Sequence, residues 1–121
     1  HDVGRVVNPA NATGQIEGAV SMGLGYTLME EVVLEKGAMR NPRFSEYLIP
    51  TSLDMPETAA HLVEAPEASG PFGAKGIGEP ALIPTAPAIL NAIAKAGGIR
   101  VKDLPATSEA VWGLLHPSAD R

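Results

Sequence analysis

Glu79 is the one carboxylate in the most unusual stretch of this sequence. It closes a glycine-rich run, GPFGAKGIGEP, at positions 70–80. The glycines before it and the proline after it would make its carboxylate project from a rigid backbone. The alternative is a tight loop whose glutamate points into solvent.

The backbone of the same loop offers a second kind of chemistry. Its glycines leave several N–H groups without side-chain cover, and such groups form anion-binding nests. A Walker A loop is excluded because Gly76, and not Ser or Thr, follows Lys75. The glycine order also differs from that of a dinucleotide fingerprint. The residues alone therefore leave open an unrelated anion- or nucleotide-binding loop, with Lys75 adding charge or pointing into solvent.

Gln15 is the second candidate, in an early turn of a predicted helix that is rich in glycine. Its amide can donate and accept hydrogen bonds, as a polar heterocycle would require; a solvated side chain is the alternative. The helix carries glycines at positions 14, 18, 23 and 25, and each costs roughly 0.5–1 kcal/mol relative to alanine. Such a bare face indicates either close packing or the close approach of a ligand.

The composition fits a single domain and excludes several classes of function. The 121 residues are 45% hydrophobic and carry a net charge of −5, and the nine basic residues are spread along the chain, which argues against a nucleic-acid partner. The sequence has no continuous apolar run long enough for a membrane span. It has no cysteine, and its three histidines are isolated, so we expect no metal ligands among its side chains.

The order of predicted elements indicates an α+β fold, with a mixed β-sheet packed against about three helices and a long glycine-rich loop. Apolar spacing and turn residues predict strands at 1–8, 32–34, 45–49, 60–64 and 99–101, with 32–34 and 45–49 joined as a pair through a loop. They predict helices at 12–32, at 85–96 with Thr85 as its cap and Gly97-Gly98 as its end, and from a cap at Thr107 or Ser108 to near Pro117. The loop is predicted at 65–84.

Four segments, in this order and at this spacing, resemble one known family. They are DVGRVVNP, GQIEGAVSMGLGYTLMEE, GPFGAKGIGEPALIPTAPAILNAI and GIRVKDLPATSEAVW. Together they resemble the C-terminal part of the molybdenum-binding subunit of the xanthine dehydrogenase/aldehyde oxidase family, from Asp2 to about Leu115. The glutamine-glycine helix and the AKGIGEP loop are specific in combination, whereas either alone would be weak.

The resemblance implies a site and a reaction. Glu79 would be the catalytic base, Gln15 would contact the pterin, and the backbone near the metal would come from Lys75, Gly76, Ile77 and Gly78. The cofactor would be molybdopterin carrying molybdenum, in its cytosine dinucleotide form. The reaction would hydroxylate a heterocycle or an aldehyde with water as the oxygen source, and electrons would leave through [2Fe–2S] clusters and FAD on other domains or subunits.

Members of this family are several times longer than 121 residues, so we expect this chain to be catalytically incomplete alone. Its first residue is His1, which also suggests a fragment or a separately encoded piece. Expected partners are the remainder of the molybdenum subunit, iron–sulfur and FAD subunits and a small-molecule substrate, in the cytoplasm. An incomplete domain would expose apolar surface and favour self-association. The alternative function is a non-catalytic module of the same family that binds a partner protein but no molybdenum.

Overall fold

The computed structural model describes residues 1–117. It contains three α-helices, α1 (Pro9–Leu28), α2 (Thr85–Gly97) and α3 (Ser108–Leu115), and one antiparallel hairpin of β1 (Leu34–Glu35) and β2 (Ala38–Met39). A single 3₁₀ turn, Pro71–Gly73, lies in the glycine-rich loop. The α+β class and the three helices are thus confirmed. In this part of the chain no helix is both long and apolar enough to cross a membrane.

Helix α1 begins and ends earlier than the apolar spacing predicts. The Asn8 side chain accepts a hydrogen bond from the backbone N–H of Asn11, and Pro9 occupies the first turn. A proline suits that position because its fixed φ is helical and its missing N–H would have no partner there. The helix ends at Leu28, where the N–H of Met29 donates to the Gly25 carbonyl.

The hairpin after α1 has a different second strand from the one predicted. Its strands pair Leu34 with Met39 and Glu35 with Ala38 around a turn at positions 36–37, where both residues have positive φ, as tight hairpin turns require. The strand predicted at 45–49 was wrong, because its first residues form a turn in which the N–H groups of 46 and 47 donate to the Arg43 carbonyl.

The remaining predicted strands reduce to isolated bridges, so the sheet is smaller than expected. Asp2 bridges Val63 in parallel and Gly4 bridges Ala74 in antiparallel fashion. The first segment therefore lies between two others, but each pairing is a single bridge. Among residues 1–117, the segment 99–101 forms no strand.

The helices meet through small residues. The Thr85 side chain of α2 lies against Gly23 of α1, and the buried apolar residues are few and mostly small: Val3, Ala12, Ile16, Ala19 and Ala106. Thr27 is fully buried; its hydroxyl donates to the Gly23 carbonyl, and its own carbonyl accepts from the N–H of Ala106. These contacts attach both α2 and the segment before α3 to α1.

The ends of α2 and α3 show which local signals were sufficient. Gly98 ends α2 in a left-handed conformation, and the Thr107 hydroxyl accepts from the N–H of Ala110 at the start of α3, both as predicted. Thr85, predicted to cap α2, is instead its first residue and donates its hydroxyl to the Ala81 carbonyl.

Candidate active site

Gln15 and Glu79 line one cavity of about 260 Å³ between α1 and the end of the glycine-rich loop. Both side chains are exposed to solvent. The complete lining combines these polar groups with glycine and apolar residues: Gln15, Gly18, Ala19, Met22, Gly78, Glu79 and Leu82. The arrangement places a neutral amide and a carboxylate beside a surface with little side-chain cover.

Helix α1 supplies one wall of this cavity through its periodicity. Gln15, Gly18 and Met22 recur at three- and four-residue intervals, which puts them on one face of a helix. Ile16 and Gly23 are buried and point toward the rest of the fold. Because these positions lie roughly a quarter of a turn around the helix from Gln15, the side of α1 next to the Gln15 amide is fixed by packing.

The glycines of α1 divide into two groups. Close packing explains one group, and it does not explain the other. A Cβ on Gly23 would lie 2.5 Å from the Thr85 Cβ, and a Cβ on Gly25 would meet the Glu30 carboxylate, so these two glycines allow close packing. A Cβ on Gly14 or Gly18 would have no neighbour within 4 Å. Packing among the described residues therefore does not account for Gly14 and Gly18.

The loop that carries Glu79 is attached at its upstream end to the N-terminal segment. The Lys75 ammonium pairs with the Asp2 carboxylate at 2.6 Å, and the backbone N–H of Lys75 donates to the Val3 carbonyl. The hydrogen bond from Lys75, followed by one from the Gly4 N–H, lowers the pKa of the Asp2 carboxyl below its usual value. The positive charge of Lys75 is thus directed at Asp2.

The loop turns into the cavity at its downstream end. Gly78 and Glu79 line the cavity, whereas Lys75, Gly76 and Ile77 lie outside its lining in the described structure. The carbonyl of Glu79 accepts from the N–H of Leu82, which closes a turn directly after the carboxylate. The fold therefore brings Gln15, Gly78 and Glu79 together at the cavity. The other predicted site residues precede Gly78 in the loop and lie outside the cavity lining.

Sequence reasoning missed the apolar residues of the cavity lining, Ala19, Met22 and Leu82. Met22 could have been found, because it lies two helical turns after Gln15 on the same face. Leu82 gives no local signal, since it reaches the cavity only through the turn after Glu79.

Two arginines near the hairpin lie away from this cavity. Arg40 forms an ion pair with Glu35 on the hairpin, and Arg43 lines a separate cavity of about 340 Å³ with Phe44 and Tyr47. Within residues 1–117 no three histidine, aspartate or glutamate side chains are grouped so that they could hold a metal ion.

The known proteins to which this chain is similar are described as molybdopterin- or molybdenum-binding. A family model described as "Molybdopterin cofactor-binding domain" matches residues 1–56. The chain is 38% identical over 118 residues to the "Xanthine dehydrogenase molybdenum-binding subunit" of Escherichia coli O157:H7, covering 96% of this chain and 16% of the relative. It is 39% identical over 115 residues to the "Aldehyde oxidoreductase molybdenum-binding subunit PaoC" of Escherichia coli K12, covering 93% and 16%.

A solved structure has the same fold. The quinoline 2-oxidoreductase of Pseudomonas putida 86 superposes with a TM-score of 0.87 at 32% identity, over 95% of this chain and 15% of that chain. The chain thus spans about a sixth of the length of the curated relatives named above.

Proposed function

Because the chain belongs to the xanthine dehydrogenase/aldehyde oxidase family of molybdenum-binding subunits, we propose that it forms one wall of the molybdopterin site of a hydroxylase. The observation that carries the proposal is the shared cavity of Gln15 and Glu79. The cavity joins a hydrogen-bonding amide to a carboxylate on two segments that are distant in the chain. Molybdopterin with molybdenum, in its cytosine dinucleotide form, is the cofactor we propose.

The residues around the cavity fit such a group. A pterin is a flat polar heterocycle, and the Gln15 amide can both donate to it and accept from it. A Cβ on Gly18 or Gly78 would have no neighbour within 4 Å, so a ligand can approach the backbone there. Met22 and Leu82 add apolar surface. We propose that Gln15 contacts the pterin and that the backbone of residues 75–78 borders the metal.

Glu79 is the proposed general base. When bound, the cofactor supplies the two-electron oxidation, with water as the source of the oxygen. A Glu79 carboxylate oxygen takes the proton from the oxygen nucleophile as that oxygen attacks an electron-poor carbon of a heterocycle or an aldehyde. The turn from Glu79 to Leu82 fixes the backbone that carries this carboxylate, as general-base catalysis requires.

The rest of the catalyst lies outside this segment. Both Gln15 and Glu79 are exposed, so the walls that exclude water and select the substrate must come from the remainder of the subunit. Electron transfer through [2Fe–2S] clusters and FAD requires further domains or subunits, since a chain without cysteine supplies no thiolate ligands. We therefore propose that the segment is inactive alone and active when assembled.

The test is Glu79→Gln in the complete assembled enzyme. The amide keeps the shape of the side chain but removes its basicity, so turnover should fall by ~10²–10⁴-fold, the usual contribution of a general base. Molybdenum content should stay unchanged. Glu17→Gln is the matched control, because Glu17 is an exposed glutamate of α1 outside the cavity lining. Full turnover by the Glu79 variant would overturn the proposed role.

A second candidate is a non-catalytic module that binds a partner protein but no molybdenum. The extensive exposed apolar surface favours it, with Phe44 82% and Leu53 94% exposed. Metal analysis of the purified native assembly separates the two functions. Stoichiometric molybdenum supports the hydroxylase, and its absence from a complete assembly supports the interaction module.

A further inference from the structure

We propose that Asp2 is a positioning residue for Glu79, acting through Lys75. This inference rests on the proposed function of Glu79. The Asp2 carboxylate uses its two oxygens on two different segments: Oδ2 pairs with the Lys75 ammonium at 2.6 Å, and Oδ1 accepts from the Gly4 N–H at 2.9 Å. It therefore joins the N-terminal segment to the beginning of the stretch that ends at Glu79.

The backbone around Asp2 is in close contact with the loop. Gly4 has a φ of +65°, and a Cβ there would lie 2.4 Å from the Gly73 carbonyl oxygen and 2.9 Å from the Lys75 nitrogen. The Lys75 N–H donates to Val3, and the Arg5 N–H donates to Gly73. The Asp2 side chain completes this contact by holding both the left-handed Gly4 and the side chain of Lys75.

The downstream end of the same stretch is held independently. The Leu82 N–H donates to the Glu79 carbonyl and the Thr85 N–H donates to the Leu82 carbonyl, while Thr85 packs on Gly23 of α1. Glu79 is thus one short turn away from a helix that is fixed against the opposite wall of the cavity.

Between these two attachments the loop has little support of its own. A Cβ on Gly76 or Gly78 would have no neighbour within 4 Å, and glycine has the widest conformational freedom of any residue. The position of Glu79 relative to Gln15 therefore depends on where the two ends are held. The Asp2 side chain helps to hold the upstream end, together with the backbone hydrogen bonds of Arg5 and Lys75.

The first test is Asp2→Asn in the complete assembled enzyme. Asparagine can still accept from the Gly4 N–H but no longer pairs with the Lys75 charge. We expect kcat to fall about tenfold, less than the ~10²-fold cost of a 1 Å misplacement, with KM within about twofold and molybdenum content unchanged. Asp2→Glu restores a carboxylate and should recover most of kcat. Unchanged kcat in Asp2→Asn would overturn the inference.

Two further measurements separate positioning from a general loss of stability. The amides of Arg5 and Lys75 are hydrogen-bonded across the contact between the N-terminal segment and the loop, so their exchange should accelerate in Asp2→Asn while that of α2 stays unchanged; equal acceleration in both would overturn the inference. Arg40→Met removes a different ion pair, Arg40–Glu35, which is also solvent-exposed, and should leave kcat and the exchange of the Arg5 and Lys75 amides unchanged. An equal effect of Arg40→Met would show that loss of any surface pair suffices.

A combined variant distinguishes failure of this inference from failure of the proposed function. If Asp2 acts through Glu79, Asp2→Asn should cause no further loss of residual turnover in the Glu79→Gln enzyme. A further tenfold loss there would overturn the inference and leave the base intact. Full turnover by Glu79→Gln alone would instead overturn the proposed function.

Discussion

Thr85 of α2 packs its side chain directly onto Gly23 of α1, and a Cβ at position 23 would lie 2.5 Å from the Thr85 Cβ and 2.6 Å from its Cγ2. This contact brings the start of α2 against α1. Because a short turn joins Glu79 to Leu82 and Thr85, the same contact brings Glu79 to the helix that carries Gln15.

Gly23→Ala should therefore destabilise the complete subunit. The added methyl group overlaps Thr85, and overpacking of this kind costs typically about 1–3 kcal/mol. The thermal unfolding midpoint of the subunit measures the effect. Gly23→Ala combined with Thr85→Ser, which removes the overlapping methyl group, should recover part of the loss. An unchanged midpoint for the single variant would mean that the two helices can separate without cost.

Gly18→Leu should lower molybdenum content without lowering stability. Position 18 lines the cavity, and a side chain there has room among the described residues, while leucine is favoured over glycine in a helix by roughly 0.5–1 kcal/mol. A leucine would occupy space that we propose for the cofactor. Gly14→Leu is the matched control, because Gly14 is equally open but lies outside the lining. Equal molybdenum content in both variants would contradict the proposed cofactor position.

Local sequence signals were sufficient where a single residue type decides the backbone. Gly98 ends α2 and Thr107 caps α3 through contacts within one turn, and such contacts need no tertiary partner. To predict where α1 begins, the capping signal of Asn8 and Pro9 had to be given more weight than the spacing of apolar residues. The strands failed for the opposite reason, since pairing at Asp2–Val63 and Gly4–Ala74 depends on segments that are distant in the chain.

The candidate site likewise depends partly on local signals and partly on contacts between distant segments. The residue types of Gln15 and Glu79 and the family resemblance identified them, but nothing local places them in one cavity. That juxtaposition depends on Thr85 meeting Gly23 and on Asp2 meeting Lys75. Neither contact is visible in hydrophobic periodicity, because one partner in the first is a glycine and both partners in the second are charged.

The Asp2–Lys75 pair predicts a pH dependence of stability. Lys75 and the Gly4 N–H lower the folded-state pKa of Asp2 below the ordinary value of 3.8. Its stabilising contribution is therefore fully present above that ordinary value and is lost as pH falls through the lowered pKa. The difference in thermal midpoint between wild type and Asp2→Asn should be constant from neutral pH to about pH 5 and should shrink below it. A difference that grows on acidification would contradict the pairing.

The exposed apolar residues after α1 predict self-association of the isolated 121-residue chain. Phe44, Leu48 and Leu53 are 82%, 59% and 94% exposed, and large apolar side chains left in solvent favour association. Since the chain spans about a sixth of its relatives, we expect the remainder of the subunit to cover this surface. Sedimentation over a range of concentrations should show oligomers of the isolated chain that Phe44→Ser with Leu53→Ser reduces. Val7→Ser removes a 71% exposed side chain from another region and should reduce them less; a monomer at every concentration would show that this surface does not drive association.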